Sequence, residues 1–80
     1  SFKGGKAEAL EVIVDIEKNK GLIGKGIDEI KVPEGCMIGA LLRDKDVKIA
    51  HHDLKIEEND HLVIFLADKD NFEQLERSLA

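Results

Sequence analysis

Three histidines, one cysteine, a short run of acids and three clustered glycines are the residues of this 80-residue chain whose types could do chemistry. His51, His52, His61 and Cys36 are the conventional soft metal ligands, and a closed zinc site would need four such groups to converge. Adjacent residues on a strand point to opposite faces, so only one of His51 and His52 could join a set. The pattern reads as surface histidines at a strand end, with no metal site. Cys36 opens an apolar run with no base and orienting group in a recognisable arrangement, and apolar surroundings would raise its pKa and leave the thiol inert. Glu57, Glu58 and Asp60 could bind a hard cation or act as paired acids, but the run reads as a solvated turn in which Asp60 bonds local backbone amides. Gly21, Gly24 and Gly26 could expose amides to an anion, yet their G-x-x-G-x-G spacing is not the G-x-G-x-x-G of a dinucleotide loop. They read as a flexible approach to a helix. No nucleophile, base and oxyanion pattern survives together, so no catalytic residue and no enzyme activity are expected.

Composition narrows the classes further. Twelve Lys and Arg against 17 Asp and Glu give a net charge of −5, with the basic residues scattered singly among acids. That balance opposes nucleic-acid phosphates and anionic membrane surfaces, so neither is an expected partner. The longest apolar run, Leu62 to Ala67, falls far short of the roughly 20 residues of a spanning helix, so any membrane link must pass through a partner. One cysteine excludes an intrachain disulfide and fits a reducing, intracellular setting. A chain this short buries only about 60 to 65% of its unfolded surface, which makes self-association the default expectation.

The elements that must position these residues follow from periodicity and breakers. Residues 1–6 carry two glycines and no periodicity and read as a linker remnant, with the domain over 7–80. From Leu10 to Ile16 apolar residues alternate, predicting a half-buried strand that ends at Asn19 to Gly21. Ile23, Ile27 and Ile30 stand at i, i+4 and i+7, the edge of a short helix that Pro33 terminates. Cys36 to Leu42 is a strand in which Gly39 marks a bulge or close backbone approach, and Arg43 to Asp46 turns the chain into a partner strand, Val47 to Ala50. Leu62 to Ala67 is apolar at both parities, predicting a central strand covered on both faces. Asp70 as N-cap with Glu73 starts a last helix whose buried stripe is Phe72, Leu75 and Leu79. That helix would cover one face, and the helix around Ile27 or a second subunit the other. The expected fold is α+β, a small β-α-β-β-β-α sandwich of mixed sheet and helix cover.

This order resembles a known family. Ile30, Pro33, Gly35, Ile38, Ala40, Leu41 and Arg43, then Asn59, Asp60 and Leu62, match the pattern I-x-x-P-x-G-x-x-I-x-A-[IL]-x-R, a hairpin, and [GN]-D-x-[LV]. That is the pattern of the RCK_C or TrkA-C domain, the C-terminal regulatory domain of proteins that gate potassium transport. The resemblance spans roughly residues 6 to 80, and Ile49-Ala50-His51, Ile56-Glu57 and Phe65 to Lys69 look closest to its Trk uptake branch. It implies a cytoplasmic subunit that regulates potassium transport, works as a homodimer or higher oligomer, and reaches the membrane through a transporter. It implies NAD(H) or ATP only in a separate N-terminal domain, and no cofactor here. Some members of the family bind cyclic di-adenosine monophosphate between two subunits, at positions corresponding to Ile30, Lys31, Val32, Met37 and Ile38. Lys31 and Met37 stand where those binders tend to have Arg and Asn, which weakens a bidentate phosphate contact and a polar base or ribose contact. The same residues, with Ala40, are the expected dimer seam. The alternatives are a small-ligand sensor at that seam, or a metal or redox sensor built on His51, His61 and Cys36.

Overall fold

The computed structural model describes residues 7–80; the expected linker over 1–6 lies outside them. Four strands, β1 (Glu8–Ile13), β2 (Cys36–Arg43), β3 (Asp46–Ile49) and β4 (His61–Leu66), form one sheet in the order β1-β4-β2-β3, followed by a single helix, α1 (Phe72–Leu79). The α+β architecture is as expected, with two differences. The sheet is antiparallel at every pairing rather than mixed, because hairpins and returning loops connect its strands where a parallel pair would need a long crossover.

The second difference is the expected helix through Ile23, Ile27 and Ile30, which is instead two short 3₁₀ turns, Lys20–Leu22 and Ile27–Glu29. Gly24 sits at φ +88° and breaks the spiral. The amides of Gly24 and Ile27 donate to the carbonyls of Ile56 and Leu54, and that of Ile56 donates to Lys25. The segment is therefore laced to residues 54–56 as extended chain. Its apolar edge still does what the spacing implied, since Ile23, Ile27 and Ile30 pack against the core.

That core lies on one face of the sheet. Val14, Ile38, Leu41, Leu62, Ile64 and Leu66 form it with Leu22, Leu54 and Ile56 from the loops and Leu75 and Leu79 from α1. β4 is central, as expected, but only its Leu62, Ile64 and Leu66 are buried; Val63 is half-buried, and Phe65 and Ala67 are exposed. The helix and the Ile27 turns, foreseen as covers for opposite faces, both lie on the same face. Phe72 is 43% exposed, so the buried stripe of α1 reduces to Leu75 and Leu79. Its expected cap also moves. Asp68 accepts a hydrogen bond from the Asp70 amide at 2.9 Å and starts a 3₁₀ turn over Lys69–Asn71, from which α1 continues. No helix among the described residues is long and apolar enough to cross a membrane.

Candidate functional site

The matched pattern residues divide by position into two structural devices. The first is the entry to β2. Ile30 donates its amide to Ile27 at the end of the second 3₁₀ turn, and the Pro33 carbonyl accepts from Cys36. Gly35, at φ +86°, then accepts from the Ala67 amide at 2.7 Å. A side chain at that φ would be strained, which is why glycine follows Pro33 here. The turn sets β2 beside β4, with Cys36 opposite Leu66 and Ile38 opposite Ile64.

The second device closes the other end of the sheet. Arg43 reaches Asp60 with two charge-assisted hydrogen bonds, Nε to Oδ1 at 2.9 Å and Nη2 to Oδ2 at 2.8 Å. Its Nη2 also donates to the Lys55 carbonyl at 2.8 Å, and its Nη1 lies 3.0 Å from Glu57 Oε2. Asp60 is 1% exposed and takes the Glu57 amide at 2.8 Å as well. Asn59, at φ +71°, bends the chain so that this carboxylate turns inward. Burial pushes the Asp60 carboxyl up, but the Arg43 hydrogen bond, the Glu57 amide and the Arg43 charge outweigh it and hold the group below the usual carboxylate range. The local-amide role expected of Asp60 is there; the Arg43 partner is the addition. It joins residues 17 apart in sequence, which no spacing rule within one element would reveal.

The five candidate seam residues do not form one patch. Ile30 and Lys31 line a shallow hollow of about 220 Å³ with Leu22, Lys25, Glu29 and Ser78. Val32 is half-buried and packs against the core, while Ile38 is buried within it. Met37 lies on the opposite face of the sheet and is 59% exposed. Ala40, matched across to Val63, shares that face with Met37, which is matched to Phe65. A larger hollow, about 530 Å³, lies elsewhere, between β1 and α1, and none of the five lines it.

The residues with potential for chemistry stay apart. His61 is opposite Leu42 and Cys36 is opposite Leu66, at the two ends of the β2–β4 pair and roughly 17 Å apart along the strand. His61 bonds Glu11 at 2.9 Å, and the His51 ring accepts the Asp53 amide at 3.2 Å. Burial pushes the Cys36 thiol up, away from the reactive thiolate. Among the described residues no three His, Cys, Asp or Glu side chains gather as metal ligands.

Comparison with known proteins agrees with the residue pattern. The TrkA-C domain profile matches residues 11–80. The chain is 42% identical over 78 residues to the Trk system potassium uptake protein TrkA of Haemophilus influenzae, covering 96% of this chain and 17% of that protein. It is 40% identical over 79 residues to the protein of the same name from Halomonas elongata, again with 96% and 17% coverage. The chain thus spans about one sixth of the length of these relatives. A solved structure titled "Structure of RCK domain with cda" superposes with a TM-score of 0.71 at 14% identity, over 90% of this chain and 97% of that one, a likeness of fold. By its sequence pattern, its profile match and its relatives, the chain belongs to the TrkA-C domain family.

Proposed function

We propose that this chain is the regulatory and dimerisation domain of a cytosolic subunit controlling potassium transport across the membrane. The observation that carries the reading is the TrkA-C match over residues 11–80, supported by relatives named for Trk potassium uptake. The domain occupies residues 7–80 of a longer protein, and it reaches the inner face of the membrane through a transporter subunit. It pairs with another copy. NAD(H) or ATP bound in a separate N-terminal domain shifts how subunits are arranged, and this domain fixes how neighbours pair, so the shift reaches the transporter as a change of population. The candidate seam of that pairing is the strip from Ile30 to Val32, with Ile38 supporting it from the core and Met37 standing on the opposite face of the sheet. The test is potassium uptake by cells that depend on a regulator carrying this domain, measured with the domain present and deleted. Uptake should lose its response to nucleotide in the deletion. An unchanged response at equal protein level contradicts the reading.

A second reading, a small-ligand sensor, has its own observation. Lys31 and Lys25 outnumber Glu29 around one hollow that also presents the apolar Ile30 and Leu22, which favours an anion with an apolar body. The structure of like fold carries "cda" in its title. Excess cyclic di-adenosine monophosphate should then raise the melting temperature of the domain, and Lys31→Glu should abolish the rise. No rise in the unsubstituted chain rules the nucleotide out. Cys36 and His61 stand at opposite ends of the β2–β4 pair and no metal-ligand cluster forms among the described residues, so no geometry there favours a metal or redox sensor.

A further inference from the structure

β1 is an edge of the sheet, with β4 on one side only. Val14, one step beyond the Ile13–His61 match, donates its amide to the Asp60 carbonyl at 2.8 Å. Backbone groups of an antiparallel strand alternate in direction, so Val12 and Leu10 also turn their N–H and C=O toward β4. The N–H and C=O of Ala9, Glu11 and Ile13 therefore point away from the sheet, and among the described residues nothing outside the sheet bonds them. The register against β4 runs without a bulge and no proline interrupts the strand, so this edge is an open template for pairing.

Beside that edge lies the hollow of about 530 Å³, lined by Leu10 and Val12 of β1 and by Phe72, Leu75, Glu76 and Leu79 of α1. A second hollow, of about 260 Å³, continues it past Leu10 and Phe72 to Glu8 and Lys69. α1 runs alongside the strand in the same direction. Phe72 stands at the Glu8 end, and the Leu79 carbonyl accepts from the side chain of Asn19, just past the other end, at 2.8 Å. With a rise of about 1.5 Å per residue, Phe72 and Glu76 are about 6 Å apart along the helix, close to the roughly 6.6 Å between alternate residues of an extended chain.

We propose that this ledge binds an extended segment of a partner protein, added to the sheet as a fifth strand beside β1, with apolar residues at alternate positions and one basic residue between them. Its main chain bonds the edge groups of Ala9, Glu11 and Ile13, and its inward side chains lie over Phe72, Glu76 and Leu79. Two observations select this occupant. The first is hydrogen bonding, because a row of donors and acceptors at strand spacing is matched by another extended main chain and by no compact ligand. The second is charge. Glu76 is exposed between the apolar Phe72 and Leu79 and makes no ion pair among the described residues, so a cation complements it. Lys69 and Lys18 stand at the two ends of the ledge and disfavour further basic residues there. β1 of a second copy would instead carry two acids, Glu8 and Glu11, toward Glu76.

The ledge is separate from the Ile30–Val32 strip, so it stands or falls independently of how copies of the domain pair. Its test is an NMR titration of the isotope-labelled 80-residue chain with the blocked peptide acetyl-Thr-Val-Thr-Lys-Thr-Val-Thr-amide. Amide shifts should be confined to β1 and α1, with hydrogen exchange at Ala9, Glu11 and Ile13 slowed about tenfold near saturation. Glu76→Lys, an exposed position, should raise the Kd about fivefold. Exchanging the peptide's lysine for glutamate should weaken binding to the unsubstituted chain and restore it to Glu76→Lys. Equal binding in all four combinations overturns the basic residue. No shift in β1 at millimolar peptide overturns the site, as do shifts confined to the hollow at Lys25 and Lys31. Protection of Ala9, Glu11 and Ile13 that grows with protein concentration, without peptide, overturns a foreign segment as occupant.

Discussion

The two faces of the single sheet have nearly the same composition and opposite fates. On one, Leu62, Ile64, Leu66 and Leu41 are sealed by α1 and by the loops through Leu22, Leu54 and Ile56. On the other, Phe65, Met37, Val47 and Ile49 reach solvent although they are as apolar. The difference is not in the strands, which alternate as any strand does, but in where the connections land. Among the described residues, the loops through Leu22, Leu54 and Ile56 and the helix pack on one side. That face holds the fold, while Ile13, Met37, Val47 and Ile49 of the other stay exposed.

The largest effect should come from the sealed face. Ile64→Ala deletes packing in a fully buried position and should cost about 3 kcal/mol in urea unfolding, a large share of the stability of so small a domain. A cost near zero would mean that the core is not on this side. Next is the pin at the end of the sheet. Asp60→Ala leaves the Arg43 guanidinium and the Glu57 amide without their acceptor and should cost about 2 kcal/mol.

The pH dependence of stability follows from the same residue. The folded chain keeps Asp60 ionised below the usual carboxylate range, so it binds the proton less readily than the unfolded chain does. The stabilisation is present above about pH 4, the ordinary aspartate value, and is lost as pH falls through the lower folded pKa. Asp15, whose carboxylate takes the amides of Lys18 and Glu17, adds in the same direction. Urea midpoints should fall on acidification below pH 4, and Asp60→Asn should flatten that fall. A midpoint that rises on acidification contradicts the sign.

Gly39→Ala tests how the open face is shaped. Its Cβ meets the Phe65 ring, and displacing the ring should cost about 1 kcal/mol, recovered largely in the double variant with Phe65→Ala. Purely additive costs would mean that the ring does not lie on Gly39. The smallest effect belongs to Val47→Ala at the exposed edge, within about 0.5 kcal/mol in a monomeric sample. The contrast between Ile64 and Val47 is the contrast between the faces.

Much of the fold is legible in the residues because local rules agree there. The apolar runs give all four strands, Pro33 and Gly35 give the turn into β2, and the period of Leu75 and Leu79 gives the helix face. Gly39 is legible as a bulge because only a strand glycine has that meaning. Ile23, Ile27 and Ile30 mislead, since i, i+4, i+7 spacing is equally produced by two turns that each lay one isoleucine on the core. The cap at Asp70 misleads because Asp68, two residues earlier, captures that amide first. The double apolarity of β4 points to cover on both faces, whereas the described loops and helix all pack on the face of Leu62, Ile64 and Leu66; no local signal tells where a connection lands. Arg43 and Asp60 are each visible as pattern residues, while their contact is set by strand register. Of the candidate seam, the sequence places Met37 and Ile38 as neighbours; the pleat sends them to opposite faces.

The central claim is that the sealed face holds the domain folded and that the domain, as proposed above, regulates potassium transport. Its most direct test is potassium uptake by cells that depend on a regulator carrying this domain, measured with the domain present and deleted. The account predicts that uptake loses its response to nucleotide in the deletion. A response equal to that of the intact protein, at equal protein level, would contradict it.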